Sequence, residues 1–357
     1  MRRLAVFSLG VAVVALSAFA ITVSACWRDF DSAFGSSEDG GDTAIDAGCP
    51  PAMTPNSAYE RLVLAANPVA YYRFGETDGH FRSMVDGAPE GTSKPGDVLP
   101  TTVSAIHGDP NGAVLLTGGS IDFGLANAFD LVAEDKDFSL ELWFRPDTIT
   151  GADRILLSKE HNTGNEDTRK GFGLLLSPYD SGGGAIPVVI RFYRYTGSGR
   201  FADAGTLRNL QTPIESNGNY YRHVVVTHVT TPVAPHTNFR LFVDGRSKNG
   251  HSTAPSNAVT DASFLVGTDG DHLKPYKGRI DELAIYSRAL STDEILQHYQ
   301  AAASSPCGAA EGALVCMGSD SLAHCTDGAP QFQEACPQGA CIVTDGGAAC
   351  GKASPCP

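Results

Sequence analysis

From residue 50 to residue 306 the chain contains no cysteine, and after residue 25 it contains no long uninterrupted apolar run. The first absence means that this stretch must hold together on its hydrophobic core alone. The second, with 39 glycines and 21 prolines, fits turn-rich β-structure better than a helical bundle. Basic charge is also scarce, with 26 Lys and Arg against 40 Asp and Glu, a net −14 that becomes −16 if the segment carrying Arg2 and Arg3 is removed. Such a surface repels phosphate backbones, which argues against nucleic acid as a partner. There is no Gly-x-Ser-x-Gly elbow and no His-Glu-x-x-His helix. What is present is ample core material, 42% hydrophobic residues in 357, enough for one large domain or two ordinary ones.

Met1-Arg2-Arg3 gives a positive start, and residues 4–25 then run without a charge into Ala25-Cys26, the layout of a secretory signal. A run of 22 residues is also long enough to span a bilayer, so hydropathy leaves a cleaved signal and an uncleaved anchor both open. Val23-Ser24-Ala25-Cys26 resembles the lipobox of bacterial lipoproteins, in which the Cys is lipidated and becomes the first mature residue. That resemblance implies acyl chains on Cys26. Each buried CH₂ contributes about 0.8 kcal/mol, and more than one chain is needed for a stable anchor. Trp27 stands where an Asp would signal inner-membrane retention, so the expected location is exported, at the outer membrane or cell surface. Residues 27–56 hold six acidic residues and one basic residue among Gly and Ser, a composition too poor in apolar surface to fold. Residues 26–56 are therefore read as a lipidated Cys and flexible acidic linker behind a signal at 1–25.

With Cys26 set aside, Cys49, Cys307, Cys316, Cys325, Cys336, Cys341, Cys350 and Cys356 remain, an even number that argues for disulfides in an exported chain. Seven of them fall in 307–357, which reads as a small disulfide-rich module. A zinc site lacks paired C-x₂₋₄-C spacing, since only Cys336 and Cys341 are close. Cys49 and Cys307 bracket residues 57–306, and one expectation is that they pair with each other.

Within 57–306, Phe138–Phe144 alternates, with Phe138, Leu140, Leu142 and Phe144 on one face and Ser139, Glu141 and Trp143 on the other. His223–His228, Phe239–Asp244, Phe264–Gly267 and Ile280–Tyr286 read as further strands, and Asp244-Gly245 as a hairpin turn. Two short helices are expected. One covers Ser57–Ala66, with Ser57 and Glu60 spaced as a capping box; the other starts at Ser291, with Glu294 three residues on and Leu290 and Ile295 placed as a staple. Many strands and little helix make an all-β sandwich.

The blocks Ala66–Glu76, Phe138–Pro146, Tyr221–Thr227, Leu241–Gly245 and Tyr276–Ser291 resemble, in order, those of laminin-G-like domains in the concanavalin A-like lectin/glucanase superfamily. The resemblance covers about 240 residues. It implies a two-sheet antiparallel jelly roll, a binding module for glycans or proteins, and often a structural calcium. Asp281 lies in the closing block, where the family's acid helps hold the ion; Glu76 and Asp78, with Asp86 nearby, are candidate partners after the first strand. An ordinary turn pairing is the competing reading for these acids. Asp269 and Asp271 are spaced like an EF-hand start but lack the Gly and Glu that should follow.

The superfamily also holds glycoside hydrolases, whose paired carboxylates project from one strand. No such run occurs here: Glu141 is the only acid in its strand, and Asp281 and Glu282 are adjacent, so regular alternation sends them to opposite faces. His223 and His228, five apart, cannot share a metal. The expectation is a non-catalytic protein. For ligand binding, Arg191, Tyr193 and Tyr195 share one face of the 188–195 strand, and Glu141, Trp143 and Arg145 the polar face of another. Glycine-rich loops at 151–171 and 181–184 are placed to shape a rim. The expected partner is a glycan or a cell-surface protein, with the membrane reached through the lipid.

Overall fold

The computed structural model describes residues 57–352 apart from 95, 148–151, 162–167, 179–187, 197–200, 207–219, 232–238, 252–256, 306, 308–310, 338 and 345–346. The signal, the acidic linker, Cys26, Cys49, Cys356 and the 181–184 loop lie outside the described residues.

The first strands are β1 (Ala70–Tyr72), β2 (His80–Phe81), β3 (Gly91–Ser93), β4 (Val98–Pro100), β5 (Val114–Thr117), β6 (Ile121–Asp122) and β7 (Phe138–Pro146). They are followed by β8 (Arg154–His161), β9 (Lys170–Pro178), β10 (Val188–Thr196), β11 (Phe201–Thr206) and β12 (Arg222–His228). The sandwich closes with β13 (Phe239–Val243), β14 (Arg246–His251), β15 (Phe264–Val266) and β16 (Lys277–Tyr286). One sheet, called A, runs β14-β13-β12-β7-β16-β5-β4 with β1 also on β16; the other, B, runs β11-β10-β9-β8-β15-β6-β3-β2. All named ladders are antiparallel.

The expected alternation of β7 is observed: Phe138, Leu140, Leu142 and Phe144 enter the core between the sheets. There they meet Val224 and Val226 of β12, Phe172, Leu174 and Leu176 of β9, and Ile190 and Phe192 of β10. Asp244 and Gly245, both at positive φ (52° and 70°), make the β13–β14 turn, a conformation that suits Asp and Gly best.

The helices form where the capping signals placed them. In α1 (Ala58–Ala65) the Ser57 hydroxyl accepts the Glu60 N–H at 3.1 Å. The short α2 (Asp130–Ala133) precedes β7, and α3 (Thr292–Ala301) opens with a complete capping box between Ser291 and Glu294. Leu290 and Ile295 are both buried beside it, as a staple requires.

Both α1 and α3 lie on the outer face of sheet A, and the side chains opposite the β7 core residues explain why. The Glu141 carboxylate is buried and accepts from Tyr59 of α1 (2.9 Å), His223 of β12 (2.8 Å), Tyr286 of β16 (2.9 Å) and His298 of α3 (3.0 Å). Burial pushes a carboxyl group up, but the His298 and His223 side chains outweigh it and hold Glu141 well below the usual range. Burial lowers His298 in turn, and the Glu141 charge more than reverses this.

The last 51 residues form a three-stranded sheet, β17 (Leu314–Met317), β18 (Ser321–Thr326) and β19 (Ala329–Ala335), and a hairpin, β20 (Gly339–Thr344) with β21 (Gly347–Lys352). Disulfides join Cys307 to Cys325, Cys316 to Cys341 and Cys336 to Cys350. This corrects the bracketing expectation. Cys307 sits beside the module's own strands and is consumed there, so it is not the partner of Cys49. The module also does not stand alone, because Val315, Met317, Ala323 and Cys325 share one apolar cluster with Trp143, Tyr299 and Ile295.

Replacing Glu141 with Gln keeps the shape but removes the charge that faces His298. Losing one partner of a buried ion pair costs about 3–5 kcal/mol. Denaturant unfolding of Glu141→Gln is expected to show a loss of that order, with the largest effect near pH 6, where the carboxylate is ionised and His298 is protonated.

Candidate functional site

The outer face of sheet A is occupied by α1, α3 and the disulfide-rich module, and Trp143 shows how completely. Its ring has no exposed surface and packs against Tyr299 of α3 (centroids 5.8 Å, 18°) and His223 (4.8 Å). Arg145 lies near the Tyr221 ring and pairs with Asp320 of the module. The expectation that Trp143 contacts ligand is therefore corrected. The polar face of β7 is polar because it packs against other parts of the protein, not because it meets solvent.

Among the described residues the outer face of sheet B carries no helix, and Arg191, Tyr193 and Tyr195 of β10 share that face as expected, Arg191 and Tyr195 half-buried and Tyr193 only 2% exposed. With Arg169 and Lys274 they line a cleft of about 310 Å³ that Leu175 floors and Asp153 flanks. The Tyr193 ring lies over Gly173, where a Cβ would sit 2.4 Å from its hydroxyl oxygen. Tyr195 meets it edge to face at 5.4 Å, and the Arg169 guanidinium stands 4.4 Å over Tyr195. Arg169 is held by Glu160 at 2.7 Å. Burial and the Glu160 charge push the Tyr193 hydroxyl well above its ordinary pKa, so it stays a neutral donor. Asp153 accepts from Ser177 (2.6 Å) and faces Lys274 (3.4 Å). Three cationic side chains and two tyrosines thus surround one carboxylate. Arg169, Asp153 and Lys274 were not singled out from sequence, since the pairing of β9 with β10 brings Arg169 to Tyr195, and the β8–β9 pairing and the turn before Lys274 bring the other two. Asp269 makes that turn, accepting the Leu273 N–H at 2.8 Å.

The acids expected to share a calcium do not come together. Glu76 accepts the Arg82 N–H (2.7 Å), and Asp78 binds the His80 N–H (3.0 Å) and the Arg82 guanidinium (2.9 Å). Asp281 is buried elsewhere and accepts the Ala105 N–H at 2.9 Å. Among the described residues, no group of three or more His, Cys, Asp or Glu side chains is arranged to hold a metal.

Asp281 and Glu282 also depart from regular alternation. Two residues of β16, Glu282 and Leu283, oppose one of β7, Leu142, between the pairs Asp281–Trp143 and Ala284–Glu141, and Glu282 takes φ 53°. This bulge brings both carboxylates into one buried cluster. Arg73 bonds Glu282 (3.3 Å), Glu60 (2.7 Å) and Asp109, while Tyr71 donates to Glu282. A single guanidinium cannot neutralise four acids. Burial pushes Glu282 up to about 8 against the pull of Arg73, and burial with the Glu282 charge pushes Asp281 well above its usual range.

A two-sheet antiparallel sandwich with one face packed and one face bearing a polar, aromatic-lined cleft defines a lectin-like module. The chain belongs to the concanavalin A-like lectin/glucanases superfamily, through a laminin-G family model that matches residues 117–296. No curated protein matches it in sequence. Among solved structures it is similar to domain 4 of AbnA, a GH43 extracellular arabinanase from Geobacillus stearothermophilus in complex with arabinotriose (21% identity, TM-score 0.43, 65% of this chain and 98% of that one). It is also similar to the binding domain of Paraclostridial Mosquitocidal Protein 1 (16%, TM-score 0.47, 66% and 52%). The botulinum neurotoxin serotype D binding domain is a third (13%, TM-score 0.47, 66% and 51%), so the match spans about half the length of these last two chains.

A Glu whose folded pKa is raised contributes stability that is complete below its unfolded value, about 4.3, and lost as pH rises through the folded value. The melting temperature is expected to fall as pH rises through about 8, and Glu282→Gln, which cannot ionise, is expected to flatten that fall in thermal melts across pH 6–10.

Proposed function

We propose that this protein is a non-catalytic, exported binding protein, held at the outer membrane by lipid on Cys26, whose sandwich recognises carbohydrate through the cleft on sheet B. The cleft carries the reading. The half-buried Tyr195, backed by the buried Tyr193, offers apolar surface to the C–H face of a sugar ring, and arginine, lysine and carboxylate groups meet hydroxyls, a mixture suited to a polar ligand with apolar patches. The carboxylates that hydrolysis would need support a binding role: Glu141 is engaged by four donor side chains, and Asp281 and Glu282 have no exposed surface. The anchor rests on Val23-Ser24-Ala25-Cys26, and the acidic run 27–56 serves as the stalk that holds the sandwich off the membrane.

On a glycan array the intact ectodomain is expected to bind a restricted set of saccharides, and Arg191→Ala and Tyr195→Ala to weaken that binding at least tenfold. Trp143→Phe is expected to lower stability and leave affinity unchanged. An array without hits, or affinity insensitive to both cleft substitutions, would remove the reading.

The anchor has its own test. Intact mass of the membrane fraction is expected to show a chain that begins at an acylated Cys26. A chain beginning at Met1 with an unmodified Cys26 would make residues 4–25 a spanning helix instead.

A further inference from the structure

A second cavity, of about 120 Å³, lies where the disulfide-rich module meets the β12–β14 edge of sheet A. Its walls come from both parts: Tyr220, Arg222 and Lys248 from the sandwich, Gln331 and Phe332 from β19, with Tyr299 of α3 also lining it. Tyr220 and Phe332 stack across the junction at 3.6 Å and 11°, so the aromatic wall exists only when the module is docked.

The charge of this cavity is opposite to that of the chain. Arg222, Arg246 and Lys248 line it against a single carboxylate, Asp244. Asp244 is taken by Arg222 at 2.7 Å, and Arg246 donates to the Thr326 carbonyl at 2.8 Å with the exposed Asp327 as its nearest carboxylate, at 3.6 Å. Lys248 is exposed and has no ion-pair partner among the described residues. Arg222 is itself 5% exposed, and its Nε is buried without a hydrogen-bond acceptor although its two terminal nitrogens are engaged by Tyr220 and Asp244. A buried donor left unpaired is costly unless something accepts from it.

We infer that this junction cavity is a binding site for a carboxylate-bearing sugar residue, separate from the cleft on sheet B. Excess positive charge in a chain of net −14 selects an anionic group. Half-buried Phe332, whose other face rests on Tyr220, and the side-chain amide of Gln331 select a ring with hydroxyls over a bare anion. The volume sets what enters: a cavity of about 150 Å³ encloses one benzene ring, so this smaller one admits the carboxylate end of a single sugar unit while the rest of the ring projects outward.

Glucuronate is the probe, with glucose and acetate as the neutral and ring-less counterparts, titrated by calorimetry into the intact ectodomain at low salt. Glucuronate is expected to bind at least tenfold more tightly than either counterpart. Lys248→Ala and Gln331→Ala are each expected to weaken it fivefold or more, whereas Lys277→Ala, which removes an exposed cation outside the cavity, leaves it unchanged. Lys248 is exposed and unpaired, so its removal spares the fold, which the melting temperature verifies. Equal affinity for glucose, equal affinity for acetate, no binding of glucuronate, or equal losses in the Lys248 and Lys277 variants would each overturn the assignment.

Discussion

The Glu141 carboxylate is the interaction on which the rest of the architecture depends. It lies at the middle of β7, the strand flanked by β12 and β16 in sheet A, and its donors come from four separate segments: α1, β12, β16 and α3. An ionised carboxylate taken out of water costs several kcal/mol unless every lone pair is used and a counter-charge is near. Tyr59, Tyr286 and His223 supply hydrogen bonds, and His298 supplies the charge. Both helices are thereby tied to one face of one sheet, and the surface formed by α3 and sheet A is what the disulfide-rich module packs on, with Tyr299 donating to the Pro330 carbonyl at 2.9 Å. Sheet B is left to carry the cleft, beside a small buried cluster of Ile155, Leu175 and Tyr193.

The distribution of charge follows the same division. The chain is strongly acidic, yet several of its acids are spent inside: Glu141 on histidines, and Glu60, Asp109 and Glu282 on Arg73 beside Asp281. The cleft on sheet B and the cavity at the junction are both lined by an excess of cations. Against an acidic background, such patches attract anionic or hydroxyl-rich ligands locally while the protein as a whole repels polyanions.

Much of the fold was legible because it rests on local patterns. Period-two alternation in β7, the Asp244-Gly245 turn, the Ser57 cap and the Ser291–Glu294 capping box are each written in fewer than ten consecutive residues. Arg191, Tyr193 and Tyr195 were placed correctly on one face for the same reason. The misplacements share a different cause. Trp143 and Glu141 lie on the polar side of their strand, and alternation tells which residues share a face but not what covers that face. The bulge at Asp281–Ala284 adds one residue to a strand without any glycine or proline to mark it. The pairing of Cys307 depends on which strands of the module become neighbours, and Arg169 reaches Tyr195 only through the pairing of β9 with β10. Each of these is a long-range relation, invisible to a reading that works along the chain.

The cysteine distribution divides the molecule in two. The sandwich, free of cysteine from residue 50 to 306, can form its inter-sheet core in any redox environment. The module is different: with a small core of its own, it needs its three disulfides to hold the strands that cover Trp143 and Tyr299. In a reducing compartment, sheet A would therefore keep its helices but lose part of its cover, and the Tyr220–Phe332 wall would not form. Disulfide formation is then the step that completes the molecule. It closes the apolar surface over α3 and builds the junction cavity at once, so the cavity is absent until the module's strands are joined.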